Sequence, residues 1–268
     1  MHIFLTLFLT ALVGLNSCWG RDRSAFPPVQ PPMQPSTRSL EDGYTPLPMP
    51  SFIKERCTGT FSNLLSPFCT DAKYVFVYGS IITTGIYLSR SNTSNKVRIA
   101  TLREKPLRDS ASAGSVIGLG FLNAAYVLQQ GLKGEVNNAE LMAEASLYTA
   151  LITWILKYSV SEARPSNPKD LRSFPSGHTS LAFAFASVIG ARHNAIWGTL
   201  AYLTATFVAY SRIHEDYHYL HDVVFGATLG MSYGLGIHFN HKLGHPYWLM
   251  PAPSPDGKGT QIVFKISF

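Results

Sequence analysis

Charge is scarce in this chain: only 14% of its 268 residues are Asp, Glu, Lys or Arg, whereas 46% are hydrophobic. Mean hydropathy is +0.08, apolar for a water-soluble protein and modest for one made wholly of membrane helices. Acidic residues are scarcer than basic ones, 16 against 22, and the net charge of +6 favours anionic partners. No Lys/Arg run interleaved with aromatic residues and no recognition motif is present, which excludes nucleic acid as the expected partner. Cysteine is rare too: three residues cannot build a disulfide-rich scaffold. Sustained alternation of apolar and polar residues is missing from every apolar segment except the last eight residues, which argues against a sandwich or barrel. The length suits one sizeable domain rather than two large ones.

What is present begins with residues 1–20, MHIFLTLFLTALVGLNSCWG, apolar from Ile3 to Leu15 and then small and polar. This is the shape of a secretory signal, although its first residues carry no Lys or Arg. Leu15 to Cys18 resembles a bacterial lipoprotein processing site with an unusual asparagine. On that reading Cys18 bears a lipid; cleavage after Gly20 removes it instead. Cys57 and Cys69, with eleven residues between them, are expected to close a disulfide loop if the chain is exported. Residues 21–50 read as an extended tether, since eight of the seventeen prolines fall within 27–50.

From residue 51 to about 245 the chain becomes a series of apolar segments, at roughly 74–89, 111–129, 139–160, 179–192, 194–210 and 222–239. Each is long enough for a helix, so the expected fold is all-α, a six-helix bundle. The tail, 246–268, contains one expected strand, with Ile262, Phe264, Ile266 and Phe268 on one face. Several helices approach the roughly 20 residues that spanning requires, but they are rich in Gly, Ser, Thr and Tyr, and the third carries Glu140 and Glu144. The expectation is an exported cell-envelope protein, periplasmic or tethered to the outer membrane, in preference to an integral inner-membrane one. The basic segment with Arg90, Lys96, Arg98, Arg103, Lys105 and Arg108 suits a membrane surface.

Three clusters sit at the expected helix ends. Lys157 and Arg164 are seven residues apart, two helical turns, so both are expected on one face before Pro165 stops the helix. Ser176 is placed to cap a helix whose first free N–H groups belong to Gly177 and His178, an anion site with a proton donor beside it. Arg212 is expected to end the fifth helix. His218 and Asp222, four apart at the start of the sixth, allow the carboxylate to fix one imidazole nitrogen and leave the other as a nucleophile. Taken singly, each has an ordinary reading: solvated cations, a capped helix, a structural His–carboxylate pair. In an up-down bundle, however, alternate junctions lie at the same end, which gathers all three.

The same stretch, SRIHEDYHYLHD from Ser211 to Asp222, also fits H-E-x-x-H through His214, Glu215 and His218, the pattern of a zinc hydrolase. A third ligand is then needed, and downstream only Asp222 and Asp256 are carboxylates. Asp222 is expected on the same helix as both histidines, where three ligands cannot surround a metal, and His221 stands where an extended motif wants glycine.

The order K-x6-R-P, P-S-G-H, S-R-x5-H-x3-D resembles the three-part signature of the type 2 phosphatidic acid phosphatase superfamily, which holds lipid phosphatases, bacterial acid phosphatases and vanadium haloperoxidases. Lys157, Arg164, Pro165, Pro175 to His178, Ser211, Arg212, His218 and Asp222 fill every position within 66 residues. The resemblance implies a metal-free phosphatase with no cofactor. His218 forms a phosphohistidine, Asp222 orients it, and His178 protonates the leaving oxygen and later activates water. Lys157, Arg164, Arg212, Ser176 and the N–H of Gly177 hold the non-bridging oxygens. It implies as substrate a phosphomonoester or diphosphate of a lipid, or of a small soluble molecule, with vanadate as an inhibitor. Vanadate becomes a cofactor only in the haloperoxidase alternative. The loop of nine residues between Pro165 and Pro175 is short for the family and narrows the rim of the site.

Overall fold

The computed structural model describes residues 62–107, 110–243, 247–253 and 260–266. The expected signal at 1–20, the expected tether at 21–50, Cys18 and Cys57 lie outside the described residues. Cys69 is buried and disulfide-bonded. The chain forms two units, Met1–Pro48 and Met49–Phe268; all that follows concerns the second.

Each of the six apolar segments is a helix. After a single turn α1 (Ser66–Cys69) come α2 (Ala72–Leu88), α4 (Ala111–Leu132), α5 (Val136–Val160), α6 (Gly177–Arg192), α7 (Ala195–His214) and α8 (Leu220–Leu243). Within α4 a wide turn at Ile117–Phe121 places Gly120 at φ 87°. A further helix, α3 (Thr93–Glu104), lies in the basic segment that the sequence reading left without structure. Its buried residues are Ser94 and Thr101, seven apart on one face, so the stripe that faces the protein is polar and carries no hydrophobic periodicity. The expected terminal strand is β2 (Thr260–Ile266), paired antiparallel with β1 (Tyr247–Pro253) from Tyr247↔Ile266 to Pro253↔Thr260. Pro251 and Pro253 hid β1, because proline is depleted from strand interiors.

Helix α6 is the axis of the bundle, packed against α5, α7, α8 and the wide turn of α4. It is apolar on all sides, as a surrounded helix must be, and buries Phe183, Ala184, Ala186, Val188 and Ile189. Helix α8 approaches it through glycines spaced by four. A Cβ on Gly226 would lie 2.7 Å from the Ser176 carbonyl oxygen, and one on Gly230 2.2 Å from the Ser180 carbonyl and 2.8 Å from the Ala184 nitrogen. This close crossing sets the start of α6 beside the start of α8, where the Ser176 N–H donates to the Asp222 carbonyl over 3.1 Å. Gly230→Ala therefore has to part the two helices, an overpacking that costs about 1–3 kcal/mol. A thermal midpoint several degrees lower is expected, while Gly85→Ala, which meets nothing within 4 Å, leaves it unchanged or raises it.

The far end of the bundle explains the acid in α5. Glu144 accepts from Asn63 Nδ2 over 2.9 Å and pairs with His241 Nε2 at 2.8 Å, tying the chain before α1 to α5 and α8. Among the described residues two helices, Ala111–Leu132 and Val136–Val160, are long and apolar enough to cross a membrane.

Candidate active site

At the opposite end, the close of α5, the start of α6, the close of α7 and the start of α8 meet. The structure brings together the residues expected there, with three differences in how they are held.

The first concerns Arg164. Helix α5 ends at Val160, where Ser161 takes a left-handed conformation at φ 52°, so Arg164 stands in the following loop and not two turns above Lys157. Its Nε pairs with Asp170 at 2.9 Å and its main-chain N–H donates to the Asp170 carbonyl. The loop thus folds Arg164 back over the site. Lys157 Nζ donates to the carbonyls of Pro175 (2.6 Å) and Arg172 (2.8 Å), which fixes the approach to α6.

The second concerns Ser176. It occupies the N-cap of α6 as expected, but its hydroxyl accepts from Thr179 Oγ1 over 3.0 Å and makes no capping bond to the backbone. Its carbonyl accepts from both the N–H and the hydroxyl of Ser180.

The third concerns the histidines. Helix α7 ends at His214, and Asp216 turns the chain at φ 59°, so His214 and His218 are not one turn apart on a helix and Asp222 belongs to α8. The premise that all three share a helix is corrected, and the zinc pattern loses its geometry. Both ring nitrogens of His214 lack a hydrogen-bond partner among the described residues. Glu215 instead pairs with Arg212 at 2.6 Å and accepts from Ser115 over 3.3 Å. The three donors close enough to hold a cation among the described residues, Glu162, His221 and Asp222, include neither member of that pattern's histidine pair.

His218 lies in the loop before α8, buried, with Nδ1 at 3.3 Å from Asp222 Oδ2. That oxygen also accepts from Ser173 Oγ (2.6 Å) and the Tyr219 N–H (2.9 Å), so Asp222 is held by three donors. Arg212 is 2% exposed and donates to Ser211 Oγ and to the Ala111 carbonyl. The guanidinium groups of Arg164 and Arg212 lie 5.6 and 5.9 Å from the ring of Tyr217. Tyr217 was missed in the sequence, where its position inside the S-R-x5-H spacing was the available signal.

Helix α3 clamps the same loop. Arg98 Nη2 donates to Asp216 Oδ2 over 2.8 Å, Ser94 Oγ accepts from the Leu220 N–H, and the Asp216 carbonyl accepts from Ser166. Of the basic segment, Arg90, Lys96, Arg103 and Lys105 remain exposed. A cavity of about 520 Å³ opens beside Lys157, lined also by Tyr158, Asn167, Lys169 and Arg172.

Electrostatics follow from burial among cations. The His178 imidazole is pushed down to about 4, first by burial and then by Arg212, His218, Lys157 and Arg164. His218 is also lowered, by burial, with Asp222 opposing. Both histidines are thus neutral near pH 7, the form that leaves a ring nitrogen with a free lone pair. The unfolded chain takes up protons below its ordinary histidine value of 6.5, while folded His178 takes one up only near 4. Stability is therefore complete above about pH 6.5 and is lost as pH falls toward 4. His178→Asn should flatten that loss when thermal midpoints are compared between pH 7 and 5.

The PAP2 superfamily matches residues 141–242. A Lipid A 1-phosphatase of Porphyromonas gingivalis is 37% identical over 96 residues, 35% of this chain and 19% of that protein. The chain thus spans about a fifth of the length of the curated relative it matches. Among solved structures, LpxE of Aquifex aeolicus aligns at a TM-score of 0.50 and 22% identity, covering 55% of this chain and 94% of that one. A transmembrane PAP2 type phosphatidylglycerolphosphate phosphatase from Bacillus subtilis aligns at 0.54 and 20%, covering 63% and 96%. Lys157, Arg164, His178, Arg212, His218 and Asp222 all fall inside the segment that resembles the PAP2 superfamily.

Proposed function

We propose that this chain is a phosphatase that releases phosphate from a membrane lipid through a phosphohistidine on His218, with no metal. The observation that carries the reading is the orientation of His218. Its Nδ1 faces a carboxylate held by three donors, which leaves Nε2 for attack, within the electrostatic reach of Lys157 and Arg164.

The steps balance as follows. His218 Nε2 forms a bond to phosphorus while the P–O bond of the leaving alcohol breaks, and that oxygen takes a proton from His178. Water then gives a proton to His178 as its oxygen attacks phosphorus, the P–N bond breaks, and inorganic phosphate departs. His178 must be protonated for the first step. The incoming phosphate anion supports this, because its charge opposes the burial that chiefly keeps the imidazole neutral and offsets the further push from Arg212, His218, Lys157 and Arg164. Lys157, Arg164 and Arg212, with the first N–H groups of α6, meet the charge that builds on the non-bridging oxygens.

A lipid substrate is supported by the relatives' printed functions and by the surface. Large apolar side chains stand exposed on α2 (Tyr78, Ile81), α4 (Leu119, Leu128) and α5 (Leu147, Trp154), each more than half accessible. Patches of this kind mark contact with lipid or partners. They favour a bundle seated in the bilayer through α4 and α5 over the peripheral seating expected from hydropathy.

The test is phosphate release from vesicles carrying phosphatidate or a polyprenyl diphosphate, beside a soluble aryl phosphate, with vanadate and with EDTA. The reading predicts turnover of a lipid substrate that vanadate inhibits and EDTA leaves intact. Turnover confined to the soluble ester refutes the lipid assignment, and activity abolished by EDTA and restored by zinc refutes the metal-free one.

A further inference from the structure

Behind the nucleophile lies a second buried histidine that the proposed chemistry does not use. His221 is 1% exposed and sits in an aromatic cage: stacked on Tyr219 at 5.4 Å, near Phe174 at 6.2 Å, edge-on to Tyr87 at 5.1 Å. Its Nε2 lies 3.0 Å from both carboxylate oxygens of Glu162 and 3.2 Å from Asp222 Oδ1. Its Nδ1 has no hydrogen-bond partner among the described residues. A buried, unpartnered N–H costs more than an unpartnered ring lone pair facing apolar carbon. The proton therefore belongs on Nε2 and is donated to Glu162, while Asp222 Oδ1, 3.2 Å away, has no hydrogen-bond partner among the described residues and meets His221 as an electrostatic contact. The same argument disfavours a cation at Nε2, which would force the proton onto Nδ1 with no acceptor.

Glu162 reaches Asp222 by two routes. Its side chain holds His221, which stands against Asp222 Oδ1. Its main-chain carbonyl accepts from the Ser173 N–H over 2.9 Å, and Ser173 Oγ donates to Asp222 Oδ2. The two side chains that flank the Asp222 carboxylate, one on each oxygen, are thus both fastened to one residue.

We propose that Glu162 and His221 are positioning residues which fix the rotation of the Asp222 carboxylate, so that Oδ2 faces His218. The inference deepens the phosphohistidine reading and rests on it. Neither residue touches the phosphate, so they act on the turnover step and not on binding.

The test compares His221→Met, His221→Gln and Glu162→Ala with the unaltered chain on an aryl phosphate. Methionine fills the cage without a donor, whereas the amide nitrogen of glutamine replaces the donor at Nε2. His221→Met and Glu162→Ala, each of which removes the His221–Glu162 hydrogen bond, should lower kcat by about 10- to 100-fold, the range for losing one hydrogen bond to a charged group. KM and vanadate inhibition should hold, and His221→Gln should recover most of the rate. A purely packing role predicts the reverse order, with methionine near normal and glutamine impaired, and that result overturns the proposal. Should His221→Met fail to fold, Glu162→Ala still decides, because its side chain is one-fifth exposed; wild-type kcat there refutes the brace. A divalent ion that co-purifies with the protein and is absent from His221→Met also overturns it, in favour of a cation site. Failure of the phosphohistidine reading looks different: His218→Ala then stays active.

Discussion

Replacing His218 with alanine should lower phosphate release from an aryl phosphate by about 10⁴-fold or more, the scale on which nucleophile deletions act in enzymes with a covalent intermediate. The cage of Lys157, Arg164 and Arg212 survives the change, because their partners lie elsewhere: Lys157 on the carbonyls before α6, Arg164 on Asp170, Arg212 on Ser211 and Glu215. Vanadate should therefore still bind, weakened by loss of the covalent ligand, and a shift of the thermal midpoint with vanadate shows it. Retained turnover removes His218 from the nucleophile's role.

His178→Ala should lower turnover by about 10²- to 10⁴-fold, the usual share of a general acid–base. The loss depends on the leaving group. A lipid alkoxide needs its proton and suffers most, whereas a nitrophenolate leaves without help. With the latter the first step proceeds, the second lacks its base, and phosphoenzyme accumulates. A burst of nitrophenol equal to the enzyme present, followed by slow turnover, is the expected trace. An equal loss for both leaving groups and no burst would instead assign His178 to binding.

The bundle and the cluster of motif residues were legible because both rest on short-range patterns. Apolar runs of helical length gave the six long helices, and alternate junctions at one end gathered the three clusters. Long-range pairing was not legible. Arg98 and Asp216 are separated by 118 positions, and α3 faces the protein with Ser94 and Thr101, so no apolar stripe announced it. The end of α5 was misplaced because Pro165 looked like the stop, while Ser161 already turns the chain in a conformation few side chains adopt. Glu215 looked catalytic within H-E-x-x-H, yet its partner stands three residues back at Arg212, a spacing at which helix-end charges commonly pair. His221 and Glu162 carried no signal, because neither lies at a position the family signature names.

The central claim concerns one bond, between phosphorus and His218 Nε2. The protein should be mixed with a ³²P-labelled aryl phosphate, quenched in alkali within milliseconds and digested for peptide mapping. The account predicts label on the peptide bearing His218, stable in base, lost in acid and absent from His218→Ala. Turnover at full rate with no labelled peptide under any quench, together with loss of activity in EDTA, would contradict it.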